Sequence, residues 1–217
     1  MPTMPTRTRT ASTLRALCGL AGPAAFTAAW AIGARMQPSY DVAHEHISAL
    51  AAIDAERRQV MRGGFLALGA CAVVFAWELD RRLDGERPSG WGPALLAGSG
   101  VATLLAGLCT RDQMSNTPPA EGARRPSVTN DAHDAASVVG GVAATLGLLA
   151  LARRFRGDPT WESLAPQARR AAFAGTALSA WFLSDVTRPG NGLVQRAGVS
   201  IPLGFMARTA LRMLRTA

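Results

Sequence analysis

The chain has 217 residues, 48% of them hydrophobic, and a formal net charge of +8 carried entirely by Arg among its basic residues. The charges are unevenly spread: residues 17–34, 88–110 and 135–152 hold none, and each run is close to the about 20 residues a helix needs to cross a hydrocarbon core. This pattern argues against a soluble enzyme and a disordered chain, and it explains the Arg surplus by loops that flank spans rather than by nucleic-acid binding.

In chain order, residues 1–13 are Thr, Pro and Arg with little apolar content and read as a flexible cytoplasmic tail. The first span covers residues 14–34. Ala29-Trp30-Ala31 offers a leader-type cleavage site, but the apolar stretch is longer than a leader's and more spans follow, so an uncleaved span is expected. The polar connection 35–60 is expected to hold a short amphipathic interfacial helix over 42–53, with Ile47, Leu50 and Ala51 on its apolar side. The second span is 60–79, with Arg62 and Glu78 snorkelling at its ends. A charged loop, 80–90, leads to the third span, 91–109. A second long polar connection, 110–130, contains Pro118, Pro119 and Pro126, and Asn130 or Asp131 can cap the fourth span, 132–152. A basic loop, 153–170, precedes the fifth span, 171–186; a tight turn at 189–192 precedes the sixth, 193–213, and 214–217 form a C-terminal tail.

The expected fold is therefore an all-α, six-helix transmembrane bundle, with residues 14–213 as one membrane domain. Both termini then lie on one side, which holds fourteen Arg against nine on the other, so the termini are expected to be cytoplasmic. The missing Lys, the 22 Gly and the abundant Ala suggest a GC-rich bacterial genome, hence a multi-pass protein of the bacterial cytoplasmic membrane. Gly63, Gly64, Gly69, Gly98, Gly100, Gly107, Gly140, Gly141 and Gly147 recur where spans would touch, and read as packing positions. Cys18, Cys71 and Cys109 form no CxxC motif and read as small buried hydrophobes.

The two long connections and the last turn gather the chemically interesting residues on the outer side, including all three His. His44 or His46 with Asp112 and His133 could supply two His and a carboxylate to a divalent metal such as zinc; hydrogen-bonded interface residues are the alternative. Asp112 and Asp185 fall near Arg111, Arg188 and Arg196. Pairs such as Asp185 with Arg196, or Asp112 with Arg188, would make an ion-pair clasp; the other reading is a polar cup for a lipid head group, with Arg as phosphate ligand. Tyr40, His44 and Ser48, spaced i, i+4, i+8, would share one helical face pointing into the cup, and Ser48 lacks a nucleophile elbow.

Several short segments carry a resemblance: Gly19-Leu20-Ala21-Gly22-Pro23 in the first span, residues 40–50 ending in Ile47-Ser48-Ala49-Leu50, Thr110-Arg111-Asp112, Asp131-Ala132-His133, and Gly192-Leu193-Val194-Gln195-Arg196. Their order between six apolar spans resembles a bacterial multi-pass family, domain of unknown function 998. The resemblance implies a six-span membrane protein without an established activity, and it places Tyr40, Ser48, Asp112, His133, Gln195 and Arg196 at motif positions. This sequence departs from the family pattern in its Pro-rich stretch 114–128 and in the extra His46. The expected function is binding of a lipid or isoprenoid head group through Tyr40, His44, Ser48, Asp185, Arg188, Gln195 and Arg196, with membrane lipids as partners. The alternative is a membrane-embedded enzyme acting on a lipophilic substrate, by metal-assisted hydrolysis or by acid–base chemistry through Asp112 and His133. Transport fits less well, because no span carries a charge at mid-depth.

Overall fold

The computed structural model describes residues 6–83, 90–114 and 126–216. Residues 1–5, the centre of the 80–90 loop, the stretch with Pro118 and Pro119, and the last residue lie outside these. The described residues form six long helices and no strand: α1 Thr6–Arg35, α2 Arg58–Leu83, α3 Trp91–Leu108, α4 Val128–Arg154, α5 Ala165–Ser184 and α6 Asn191–Arg215. Ala, the best helix former, fills much of every helix. The starts are locally encoded. The Ser127 hydroxyl caps α4 by accepting from Asn130 N at 3.2 Å. Pro166 sits in the first turn of α5, where its missing N–H has no helical partner to lose. Gly90 and Gly190 turn the chain into α3 and α6 with φ of 75° and 80°, a region costly for residues with a Cβ.

Consecutive helices pack on one another, and α6 closes the ring on α1. The chain runs up and down. Arg82, near the end of α2, bonds Ser12 near the start of α1 and the Met213 carbonyl near the end of α6. The Arg154 guanidinium, at the end of α4, bonds the Leu83 carbonyl at 2.7 Å. Both ends of the described chain thus lie at one end of the bundle, called here the terminal end. At the opposite end the residues after α1 meet the start of α6, where Leu193 N donates to the Ala43 carbonyl at 3.3 Å. Two apolar clusters fill the interior, one around Phe75, Leu79, Leu151, Phe155 and Met213, the other around Phe26, Ile47, Leu50, Met61 and Phe65.

The outside of the bundle is apolar as well. Val138, Val139, Val142 and Leu146 of α4 and Phe173, Trp181 and Leu183 of α5 are all exposed, as expected of helix faces solvated by lipid. By length and composition four helices can cross a membrane, Arg9–Arg35, Arg58–Leu83, Trp91–Leu108 and Val128–Arg154, with mean hydropathies of 1.4, 1.7, 1.4 and 2.0 over an apolar stretch of 18 residues in each. The chain is therefore a multi-pass membrane protein by these helices. α5 and α6 are long enough but less apolar: Arg169 and Arg170 sit in α5, and Gln195, Arg196 and Arg208 in α6.

Local expectations are corrected at several points. Residues 6–13 are not a loose tail but the first turns of α1, because Ser12 and Arg15 find a partner in Glu78 of α2. Residues 42–53 do not form an amphipathic helix. Asp41 to Glu45 make a turn in which the Asp41 side chain accepts from Ala43 N, and only Ile47–Ala51 coil, as a single 3-10 segment whose Ile47, Ala49, Leu50 and Ala51 are buried in the bundle end. Six of the nine singled-out glycines do sit at helix contacts; a Cβ at Gly69 would lie 2.6 Å from the Gly100 carbonyl oxygen, whereas Gly63, Gly98 and Gly141 face open space. The three cysteines are free and half-buried.

Candidate functional site

The end of the bundle opposite the termini is built around Arg196, on the first turns of α6. Its side chain is buried at 7% exposure. One guanidinium nitrogen, Nη1, donates to the Glu45 carbonyl at 2.9 Å and to the Gly192 carbonyl at 2.8 Å, and Nη2 donates to the Tyr40 hydroxyl. The guanidinium also lies over the Trp30 ring, 5.1 Å from its centroid. Tyr40 passes the network on, its hydroxyl donating to the His46 carbonyl at 2.7 Å. Burial pushes the Tyr40 phenol up to about 12, against the opposing charge of Arg196, so it stays a donor. Gln195 accepts from Ile47 N at 2.7 Å and so holds the start of the 3-10 segment. The backbones can meet because Gly192 has no side chain; a Cβ there would lie 2.6 to 2.9 Å from the carbonyl oxygens of Glu45, Val42 and Ala43. Tyr40, Gln195 and Arg196 are thus brought together as expected, but they tie the 40–47 loop to α6.

Beside them lies a second polar group. Arg111, just after α3, donates from Nη1 to His46 Nδ1 at 3.0 Å. Arg has donors only, so Nδ1 accepts and the neutral His46 proton sits on Nε2. Burial, then the charges of Arg111, Arg196 and His133, push the His46 pKa down from 6.5 to about 3. The ring packs edge-on against Phe182 at 5.2 Å. His133, on the second turn of α4, donates from Nδ1 to the Ala106 carbonyl at 2.7 Å, leaving Nε2 as an acceptor. Asp134 reaches Arg111 only at 3.9 Å and is half exposed.

Five buried side-chain atoms among the described residues have no hydrogen-bond partner: His46 Nε2, Arg111 Nε, His133 Nε2, Asn191 Oδ1 and Arg196 Nε. All five belong to this end. Asn191 explains itself in part, since its amide nitrogen holds the Phe182 and Asp185 carbonyls, each at 2.8 Å, and closes the turn between α5 and α6. Buried polar atoms are nearly always paired, so their concentration at one end sets it apart from the rest of the described bundle.

The other expected site residues stand apart from this group. Asp112 spends both carboxylate oxygens on Ser127, accepting from its N at 2.6 Å and its Oγ at 2.5 Å, and these bonds hold its carboxyl below the usual range. It is a fixed anion that braces the start of α4, and no hydrogen bond links it to His133. His44 pairs with its neighbour Asp41 at 2.7 Å and is exposed. Asp185 accepts from Thr187 and meets Arg188 at 3.9 Å, and Arg188 lies over Trp181 at 5.0 Å. The expected pairs of Asp185 with Arg196 and Asp112 with Arg188 do not form. Tyr40, His44 and Ser48 share no helical face, because the 3-10 segment begins only at Ile47. His44, His46, Asp112 and His133 are not one ligand set: no group of three or more His, Cys, Asp or Glu able to hold a metal ion occurs among the described residues. Arg111 and Asn191 are not among the site residues expected from the sequence; the signals for Arg111 are its place beside Asp112 at a span end and the family-like Thr110-Arg111-Asp112 segment.

The depressed His46 pKa has a consequence for stability. Below pH 6.5 the unfolded chain takes up a proton on this ring, while the folded chain does so only near pH 3. The contribution is complete above the unfolded value and is lost as pH falls through this window. Melting of the detergent-solubilised protein between about pH 7 and pH 4 is expected to show a steeper loss for wild type than for His46→Gln. Equal slopes would assign the acid sensitivity to other groups.

Comparison with known proteins adds one result. No curated protein and no solved structure matches the chain. The family described as protein of unknown function (DUF998) matches residues 20–212, nearly the whole chain, and the chain belongs to that family.

Proposed function

We propose that this is a six-span protein of the bacterial cytoplasmic membrane, with cytoplasmic termini, that binds the phosphate of an isoprenoid or other lipid at the end holding Arg111 and Arg196. In this reading residues 14–213 work as one membrane domain. The observation that carries it is the set of unpartnered buried atoms. Arg111 Nε, Arg196 Nε and His46 Nε2 are donors, and His133 Nε2 and Asn191 Oδ1 are acceptors. Two of the donors are permanently charged. Arg196 has no carboxylate within 4.0 Å among the described residues, and Arg111 has only Asp134 at 3.9 Å. Buried cations without close counter-ions are costly, and an anionic oxygen would offset that cost. A phosphate monoester fits the mixed set, since its oxygens accept and its P–OH can donate.

Acid–base catalysis by Asp112 and His133 has no comparable support, since Asp112 is engaged by Ser127. The test is retention of a long-chain isoprenoid phosphate by the full chain in mild detergent. Arg111→Gln removes a charge-assisted donor and is expected to weaken retention by at least about tenfold, while the neutral isoprenoid alcohol binds weakly to both forms. Equal retention of phosphate and alcohol, or no effect of the substitution, would sink the proposal.

A further inference from the structure

At the terminal end, away from the site above, a cavity of about 180 Å³ is lined by Arg156, Glu162, Ala165, Pro166 and Arg169. It sits at the corner between α4 and α5. Its three charged side chains belong to exposed residues. None of them is joined to another by an ion pair within 4.0 Å; the nearby pair, Arg154 with Asp158 at 3.0 Å, uses different residues. Two cations and one anion therefore line one hollow without neutralising each other. Below it, Arg169, Phe173, Thr176 and Ala180 follow at spacings of four, three and four on one face of α5, and all are exposed. Phe173 is 62% exposed. The Thr176 hydroxyl is shared with Thr145 at 3.0 Å, so this strip offers an apolar path with its one polar group already bonded.

We propose that this corner binds the head group of an aminophospholipid. The phosphate lies between Arg156 and Arg169, the primary ammonium meets Glu162, and an acyl chain runs down the α5 face over Phe173. The inference rests on the reading of α5 as a lipid-facing helix. The charge pattern selects the class. A lipid with an anionic head and no cation would meet both guanidinium groups but leave Glu162 without an ammonium partner. A quaternary ammonium has no N–H to give to Glu162. Arg can grip the phosphate with paired N–H donors.

The experiment is native mass spectrometry of the full chain from mild detergent, offered phosphatidylethanolamine, phosphatidylglycerol, phosphatidylcholine and soluble O-phosphoethanolamine in turn. Phosphatidylethanolamine is expected to be retained about fivefold over the other two lipids, the scale of one good surface ion pair. The Arg156→Gln, Arg169→Gln double variant should lose that retention, and Glu162→Gln should lose the preference over phosphatidylglycerol. All three side chains are exposed, so the variants are expected to melt as wild type does. The Arg156→Gln, Arg169→Gln double variant should leave retention of the long-chain isoprenoid phosphate unchanged, which separates this site from the one at the opposite end. Equal retention of the three lipids, or a Glu162→Gln variant with its preference intact, would overturn the proposal. So would soluble O-phosphoethanolamine binding as tightly as the lipid, because the apolar path would then contribute nothing.

Discussion

Replacing Glu78 with alanine should lower the stability of the detergent-solubilised bundle by about 3 kcal/mol, the low end of what breaking a buried ion pair costs. Glu78 is 2% exposed near the end of α2. Its carboxylate accepts from Arg15 Nε at 2.8 Å, from Arg82 Nε at 2.9 Å and from the Ser12 hydroxyl. Arg82 also reaches back to Ser12 at 2.9 Å and to the Met213 carbonyl. One carboxylate therefore joins α1 to α2, and through Arg82 the pair holds the last turns of α6. Removing it leaves two guanidinium groups facing each other. Their side chains keep 20% and 16% exposure, so some water can reach them, and this sets the low end of the range. Glu78→Gln keeps the shape and part of the hydrogen bonding and should fall between. Thermal unfolding in one detergent at one pH measures the series; an alanine variant that melts with wild type would show that the cluster is dispensable.

The second large effect is expected at the other end. Arg196→Leu keeps much of the apolar bulk over Trp30 but leaves the Glu45 carbonyl without its guanidinium donor and the Tyr40 hydroxyl without its second partner. Bonds to a charged donor are worth about 1.5–3 kcal/mol each, and leucine's better fit to an apolar interior recovers part of the loss, so a net cost of about 3 kcal/mol is expected. Tyr40→Phe removes the link to the His46 carbonyl at 2.7 Å and should cost about 1 kcal/mol. The two losses should not add, because both substitutions break the same bridge. Hydrogen exchange checks the mechanism: amides of residues 41–47 should exchange faster in Arg196→Leu while those of α3 do not change. Uniform loosening of the whole bundle would mean that Arg196 supports the fold generally, not this loop.

The same residue shows how far the site could be read in advance. Arg196, Tyr40 and Gln195 were recognisable as important from their place next to apolar spans, where polar groups need partners. The partners of Arg196 and Gln195 were not recognisable, because they include the Glu45 carbonyl, the Tyr40 hydroxyl and the Ile47 amide, on a loop 148 to 156 positions away in the chain. An ion-pair clasp was the reasonable expectation for an Arg near an Asp, yet Asp185 is drawn away by Thr187 only two residues on. Asp112 is likewise taken by Ser127. Short-range bonds to local backbone and hydroxyls compete with the longer-range charge pairing that composition suggests.

By itself the sequence determined that this chain is a helical multi-pass membrane protein and where its helices lie to within a few residues at most ends. That information is local: transfer of an uncharged run of about 20 residues, and the tight turn at Gly190, depend on each segment's own composition, although α4 is capped by Ser127 and not by the expected Asn130 or Asp131. Only the tertiary structure decided that residues 6–13 continue the first helix, that the 40–47 loop folds over the start of α6, and that the buried atoms without partners gather around Arg111, His46, His133 and Arg196. These outcomes depend on how each helix is rotated about its axis and where each loop crosses the bundle end. A rotation of one residue, about 100°, turns a side chain from the interior to the lipid without altering the hydropathy that made the span legible.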